Sequence, residues 1–265
     1  MARPPRPSMS RSPGASARAP WRLALLGLGV GLGLGLLALA PARWLAPWVA
    51  AHTPLRLVDA QGTVWRGSTR LMLTAGTGSR DRAMLPDRIQ WQVTLNGLHL
   101  QALCCMSEPL RLSMRLFDGP ARLNVSDQRS LWPAEVLGGL GTPMNTLEPT
   151  GRLLLQTADL HWHWSPSGPQ LGGQLTLDLQ NLGSALSTLR PMGHYRLALQ
   201  GGTQPRLTLS TIEGPLQLQG QGQWQGGRWR FKGQASAEPG LESALGNILN
   251  IIGRREGARS ILSIG

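Results

Sequence analysis

Asp159, His161 and His163 form the closest grouping of side chains in the sequence that could do chemistry. Imidazole nitrogens and a carboxylate are ligands that Zn²⁺ accepts, and residues two apart on a β-strand project from the same face. Trp162 and Trp164 alternate with the histidines, which is equally typical of an ordinary strand with one polar face. We favour the ordinary strand and expect no metal, no cofactor and no small-molecule substrate.

Cys104 and Cys105 are the only cysteines, and they are adjacent in the sequence. Neighbouring residues of a strand point to opposite faces, and a bond between adjacent cysteines closes a strained ring. The spacing is that of neither a disulfide framework nor a metal site. We interpret the pair as two small apolar residues of a strand. A disulfide between two molecules in an oxidising compartment is the alternative.

Motifs for covalent catalysis are missing from the sequence. It contains 14 carboxylates and five histidines, but neither G-x-S-x-G nor S-x-x-K occurs. We therefore expect that the protein is not an enzyme. An enzyme acting on envelope polymers is an alternative to this expectation.

Five glycines alternate with apolar residues in a stretch near the N-terminus, at Gly27, Gly29, Gly31, Gly33 and Gly35. All of them fall on odd positions, so the third glycine of a nucleotide-binding G-x-G-x-x-G would fall on a leucine. The spacing does fit G-x-x-x-G, with Gly27, Gly31 and Gly35 on one helix face. We predict a helix-packing face there, and a simple bias towards leucine and glycine is the alternative.

These glycines lie within residues 23–42, which hold no charged side chain. At about 1.5 Å per residue the segment spans roughly 30 Å, the thickness of a bilayer's hydrocarbon core. Every charged residue before it is an arginine, and Trp21, Trp44 and Trp48 flank it as interfacial anchors would. Excess arginine is retained on the cytoplasmic side. The sequence therefore predicts a single-pass inner-membrane protein with a cytoplasmic N-terminus and a periplasmic remainder.

Two other interpretations of residues 23–42 are weaker. A cleaved signal peptide has a shorter apolar core, and the small residues Ala38 and Ala40 are followed by Pro41, a poor cleavage context. A buried helix of a water-soluble protein would be destabilised by so many glycines. The preceding residues 1–22 are predicted to be a disordered basic tail whose five arginines favour contact with anionic lipid.

The formal net charge of +12 does not indicate nucleic-acid binding. Five of the positive charges belong to the predicted tail, and the other arginines are scattered rather than clustered with aromatic residues. The predicted periplasmic location is also the wrong compartment for a nucleic-acid-binding protein, so we expect no nucleic-acid partner.

Beyond about Thr53 the sequence consists of short segments in which apolar and polar residues alternate, as in half-buried strands. The clearest hairpin pairs residues 216–224 with 228–237 across Gly226-Gly227. Helical spacing is clear only over residues 241–252, and a shorter helix is predicted after Pro133. The remaining predicted strands are 55–65, 69–74, 89–95, 98–103, 110–116, 121–125, 171–179, 195–199, 206–212 and 260–264.

The predicted fold is mainly β: one N-terminal transmembrane helix, then an elongated periplasmic region of antiparallel sheet with a short C-terminal helix. Residues 127–150 are rich in proline, glycine and polar residues. We interpret them as a linker or short helix between two β-rich halves, residues 43–126 and 151–265. A single continuous sheet is the alternative.

Several motifs occur in an order that resembles the type II secretion system protein N (GspN) family. They are Gly62-Thr63-Val64-Trp65-Arg66-Gly67, residues 85–91 (LPDRIQW), Gly214-Pro215-Leu216, residues 227–235 (GRWRFKGQA) and a short helix before Ile252-Gly253-Arg254-Arg255. The similarity runs from about Trp21 to Gly265. It does not extend to the long N-terminal tail or the cysteine pair, so no role is implied for those.

The resemblance implies an accessory inner-membrane component of the machine that exports folded proteins from the periplasm across the outer membrane. It implies no catalysis and no cofactor, and the partners would be the other inner-membrane and connector subunits. The alternative is an AsmA-like lipid-handling or envelope-maintenance protein, which also combines one anchor with long sheets. That alternative requires a curved sheet with a continuous apolar groove.

Overall fold

The computed structural model describes residues 21–76, 81–115, 121–165 and 168–265. The chain forms two compact units, Met1–Ala40 and Pro41–Gly265. In the first unit the described residues form helix α1, Trp21–Ala38. The second unit contains α2 (Leu45–His52), α3 (Met144–Leu147), α4 (Glu242–Ile252) and 3-10 helices at Ala42–Trp44 and Ala134–Leu140. The predicted tail lies outside the described residues, apart from its last two positions.

The second unit is mainly β, which confirms the predicted class. Its first strands are β1 (Leu55–Gly62), β2 (Arg66–Thr74), β3 (Arg82–Thr94), β4 (Gly97–Ala102), β5 (Leu110–Arg115), β6 (Arg122–Val125) and β7 (Gln128–Pro133). The others are β8 (Pro149–Ser165), β9 (Gly168–Ser184), β10 (Gly193–Gln200), β11 (Arg206–Glu213), β12 (Leu216–Gln225), β13 (Arg228–Ala237), β14 (Arg254–Glu256) and β15 (Arg259–Ile264).

All of these strands belong to one antiparallel sheet of 15 strands. Pairing follows chain order from β1 to β6, then from β8 to β13, β15 and β14, while β7 pairs only with β8. The predicted strand at 55–65 ends earlier, at Gly62, because residues 63–65 form the turn into β2.

Residues 127–150, where we predicted a linker or short helix between two halves, contain β7, the 3-10 helix Ala134–Leu140 that follows Pro133, and α3. The first part of β8 pairs with β7, and its last part pairs with β6. β8 is 17 residues long, which is long enough to accept two short strands in succession along one edge. Strands from both sides of the segment therefore share one hydrogen-bonded ladder, the arrangement that the continuous-sheet alternative describes.

The predicted C-terminal hairpin is confirmed. Gly226 and Gly227, with φ of 59° and 81°, join β12 to β13, and Trp224 faces Trp229 across the strands. Positive φ at both central residues matches the twist of the flanking strands, and glycine adopts it without steric cost. The predicted helix at 241–252 is also confirmed as α4.

One face of the sheet is apolar because apolar residues alternate with polar ones along each strand, and the apolar residues of neighbouring strands lie opposite one another. Leu155, Leu177, Leu197 and Leu209 lie opposite one another on β8 to β11 and are all partly buried. α4 covers part of this face, and its Leu245, Ile248 and Leu249 are the centre of the main core cluster. Buried residues of that cluster from elsewhere are Leu147, Met192, Tyr195, Leu216 and Ala235.

Phe231 shows how this core is packed beyond α4. Its ring lies over Gly220 and Gly222 of the neighbouring strand, so a Cβ atom on Gly220 would clash with the ring's Cζ. Phe231 is 8% exposed. The two glycines therefore provide the space that buries an aromatic ring against the sheet backbone.

Within the described part of the chain, no helix is both long and apolar enough to cross a membrane. The predicted span, residues 23–42, overlaps α1 and extends past its end at Ala38. Beyond the helix, Pro41 forms an antiparallel bridge with Thr63, so the second unit begins beside the turn between β1 and β2.

We predict that Gly220→Val destabilises the protein by about 1–3 kcal/mol, because the added side chain must displace the buried Phe231 ring. The measurement is the free energy of unfolding of the purified full-length chain in denaturant. Gly246→Ala is the control, since a Cβ atom on this α4 residue meets no atom within 4 Å. That change should stabilise the helix by about 0.5–1 kcal/mol. Equal stability of Gly220→Val and the wild type would contradict this packing.

Candidate functional site

The first two motifs of the family resemblance meet in space. Residues 63–65 form the turn between β1 and β2, and the indole Nε1 of Trp91 donates a hydrogen bond to the carbonyl of Val64 at 3.0 Å. Its ring lies against Gly67, where a Cβ atom would lie 2.5 Å from Cζ2 of Trp91. The Trp91 ring therefore requires glycine at position 67, and its hydrogen bond to Val64 attaches the turn to β3.

Arg88 lies three residues before Trp91 on β3 and links the same three strands. Its guanidinium donates to Oδ2 of Asp59 at 2.6 Å and to the Asp59 carbonyl at 2.7 Å. It also donates to the Ser68 hydroxyl at 3.2 Å. Asp59 has φ of 52° and lies in the bulge of β1 between Val58 and Gln61. A planar fork of donors can reach both strands at once, which a lysine ammonium cannot.

The hydrogen bonds from Arg88, and then from Gln61, lower the pKa of the Asp59 carboxyl below its usual value. Asp59 is therefore ionised in the folded protein at neutral pH. Since the carboxylate accepts both bonds, the Asp59–Arg88 contact persists above the usual carboxyl pKa and is lost as the pH falls through the lowered one.

The C-terminal motif forms a second aromatic site. Trp224 and Trp229 pack edge to face at the tip of the β12–β13 hairpin, with ring centroids 5.6 Å apart. Arg228, Arg230 and Lys232 alternate with them and project from the opposite face. β13 continues into the part of the sheet that α4 covers.

His161 and His163 share the polar face of β8, as expected of residues two apart. Their ring centroids are 6.1 Å apart. Nδ1 of His161 lies 2.7 Å from the Asp159 carbonyl oxygen, and Nε2 of His163 lies 2.9 Å from Oε1 of Gln170. The described residues contain no grouping of three His, Cys, Asp or Glu side chains that could hold a metal ion.

The interpretation of Cys104 and Cys105 as strand residues was wrong. Residues 103–105 form a turn, and the two sulfurs are joined in a disulfide. A strand would send the side chains to opposite faces, whereas a turn brings them together. The turn lies between two strands: the Cys104 amide donates to Oδ2 of Asp87 at 3.2 Å, and the Cys105 carbonyl accepts from Leu131 at 2.8 Å.

Gly27, Gly31 and Gly35 all lie in α1. In the part of the chain that the structure describes, a Cβ atom added to any of them would meet no atom within 4 Å. Their role as a helix-packing face stays a prediction.

Sequence reasoning identified the motif residues but missed the contacts between them. Trp91 and Arg88 were noted only as parts of a motif, and the alternation of β3 does not show which turn they reach.

The family model described as Type II secretion system (T2SS), protein N matches residues 53–262, which include both motif sites. No curated protein and no solved structure matches the chain.

We predict that Arg88→Lys lowers the denaturant midpoint of unfolding and speeds proteolytic cleavage within residues 61–68, since a single ammonium cannot replace the fork. Arg82→Lys, at the exposed start of the same strand, is the matched control and should leave both unchanged. The stability gap between wild type and Arg88→Lys should narrow in acid, as Asp59 becomes protonated through its lowered pKa. A gap that is the same at acid and neutral pH would contradict this assignment.

We also predict that an alkylating reagent labels neither cysteine of the denatured full-length chain until a reductant is added. Mass spectrometry of the peptide that contains Cys104 and Cys105 measures this. Labelling without reductant, or a disulfide-linked dimer on a non-reducing gel, would contradict a bond within the turn.

Proposed function

Since this chain belongs to the type II secretion system protein N family, we propose that it is an inner-membrane accessory component of that system. In this role it takes part in the export of folded proteins from the periplasm across the outer membrane. The observation that carries the proposal is the family match over residues 53–262, which spans nearly the whole sheet. The contact of Trp91 with the turn at 63–67 supports it, because two of the motif segments form one structural unit there.

The proposed placement in the membrane rests on residues 23–42 and on the arginines before them. In α1 the large side chains Leu23, Leu26 and Leu32 are each more than 60% exposed, as suits contact with lipid. The positive-inside rule then places the N-terminus in the cytoplasm and the sheet in the periplasm. An oxidising periplasm is also compatible with the disulfide at Cys104 and Cys105.

The proposed partners are the other inner-membrane and connector subunits of the system. Two kinds of surface suit such contacts. The sheet ends at β1 on one side and at β14 on the other, and an edge strand can pair with a strand of another chain. The face with Gly27, Gly31 and Gly35 would let another transmembrane helix approach closely.

Deleting the gene should abolish export of a type II substrate, and the wild-type gene should restore it. A gene copy that carries Gly31→Leu should restore export poorly, because the larger side chain separates the packed helices. A copy that carries Val30→Leu, on another face, should restore export fully. Export is measured as the fraction of substrate in the medium, and resistance to carbonate extraction checks that each variant remains in the membrane. Undiminished export after the deletion, together with a leaky outer membrane, would contradict the proposal.

Lipid handling is a second candidate, favoured by the row of partly exposed leucines across β8 to β11. If the protein handles lipid, lipid should co-purify with it and be detected by mass spectrometry. If the two functions are separate, Leu197→Arg, in the middle of the row, should abolish this lipid binding without affecting export.

A further inference from the structure

Glutamine occupies every second position of β12. The five residues are all exposed: Gln217, Gln219, Gln221, Gln223 and Gln225. Side chains two apart on a strand project from the same face. The glutamines therefore form one row on the polar face of the sheet, opposite Leu216 and Leu218, which belong to the core under α4. We call it the glutamine row, and it is roughly 27 Å long at ~3.4 Å per residue.

Exposed cations lie on both sides of the glutamine row. Three cations of β13 are its direct cross-strand partners: Arg228, Arg230 and Lys232. On the other side Arg206 of β11 faces Gln223, so this glutamine lies between Arg206 and Arg230. The positive charges are thus spaced out by neutral amides instead of converging on one point.

The charge of these four cations is not balanced by neighbouring carboxylates. β12, β13 and β15 contain no aspartate or glutamate, and Glu213 of β11 lies roughly 24 Å from Arg206 at ~3.4 Å per residue. Asp178 and Glu256, on the same face of the sheet, are each paired with another arginine. In the part of the chain that the structure describes, none of the four cations forms an ion pair.

The glutamine row and its cations border a shallow depression of about 830 Å³. Thr208, Gln221 and Lys232 lie side by side across it on three neighbouring strands. Among the described residues, Gln219 and Gln221 have no hydrogen-bond partner for their side chains, so both amides are free to contact a ligand.

The chemistry of this surface fits a chain of sugars better than a protein. An amide side chain both donates and accepts hydrogen bonds, as the hydroxyl groups of a sugar do. A protein interface has an apolar core with aromatic residues. Trp229 and Phe231 project from the other face of β13, and the single half-buried side chain of Ile261 beside the depression is too little for such a core.

We propose that the glutamine row and its flanking cations bind an acidic polysaccharide whose sugar rings carry carboxylates. The chain would run along β12, with its hydroxyl groups on the amides and its carboxylates on Arg228, Arg230 and Lys232. The planar fork of arginine matches a carboxylate. Cations about 7 Å apart along a strand suit single charges spaced along a polymer, whereas a compact dianion such as a phosphate monoester requires donors that converge.

This inference goes beyond the proposed function and uses only contacts within the second unit. Loss of sugar binding would leave the proposed role in export unchanged. A chain that proved dispensable for export would still bind the sugar.

The test titrates oligogalacturonate, a chain of carboxylated sugars, into the purified full-length protein and measures the heat of binding. The detergent must have no sugar headgroup. Maltohexaose supplies hydroxyl groups without charge, and poly-L-glutamate supplies carboxylates without sugar. Each of these two probes should bind at least about tenfold more weakly than oligogalacturonate, because each lacks one of the two kinds of contact.

Substitutions in the site should weaken the binding of oligogalacturonate. Arg230→Gln and Lys232→Gln should each lower the affinity roughly fivefold, the upper end for an exposed ion pair. Gln221→Leu should lower it by a similar factor, because the leucine cannot replace the hydrogen bonds of the amide. Since these side chains are exposed, the denaturant midpoint of each variant should equal that of the wild type.

Arg255→Gln is the matched control. It removes the same charge from an exposed position, but Arg255 lies on the other face of the sheet. Its cross-strand partner Ser260 donates a hydrogen bond to the carbonyl of Leu249 in α4. This variant should bind oligogalacturonate as the wild type does.

Three results would overturn the proposal. The first is the absence of binding to oligogalacturonate. The second is equally tight binding of poly-L-glutamate, which would indicate an acidic polypeptide as the ligand. The third is an equal loss of affinity in Arg230→Gln and Arg255→Gln, which would show attraction to the net charge of the protein and not to this site.

Discussion

Backbone hydrogen bonds run between neighbouring strands along the whole sheet, from β1 to β14, and the other features of the protein depend on this ladder. Buried N–H and C=O groups must find partners, and in an open sheet each strand supplies them to the next. Alternation then separates an apolar face from a polar one. Because every pairing is antiparallel, successive turns also alternate between the two ends of the sheet.

The residues that carry the family resemblance act mainly on the geometry of this ladder. Trp91 requires glycine at position 67 and fixes the turn above it, while Arg88 joins three strands at a bulge. Phe231 makes similar use of Gly220. Each of these contacts holds a hairpin in a defined position. Fixed hairpins suit the proposed role, in which the sheet presents surfaces to other subunits.

The turn at Cys104 and Cys105 and the long strand β8 keep the sheet continuous where the sequence is least regular. The turn supplies backbone partners to Asp87 on one side and Leu131 on the other, in the place that a strand would otherwise occupy. β8 accepts β6 and β7 in succession along one edge. β7 therefore belongs to the ladder although it lies in a region whose composition is typical of a linker, and the rest of that region forms short helices.

Local pattern by itself determined the β class, the β12–β13 hairpin and α4, because alternation, paired glycines and helical spacing act over a few residues. It also identified the motif residues and the uncharged segment at 23–42. It could not show that Trp91 reaches the turn at Val64 or that Cys104 and Cys105 lie in a turn, since these depend on the register between distant strands. Trp65, Leu95 and Arg122 are likewise scattered in the sequence, and only the order and direction of the paired strands bring them to one end of the sheet.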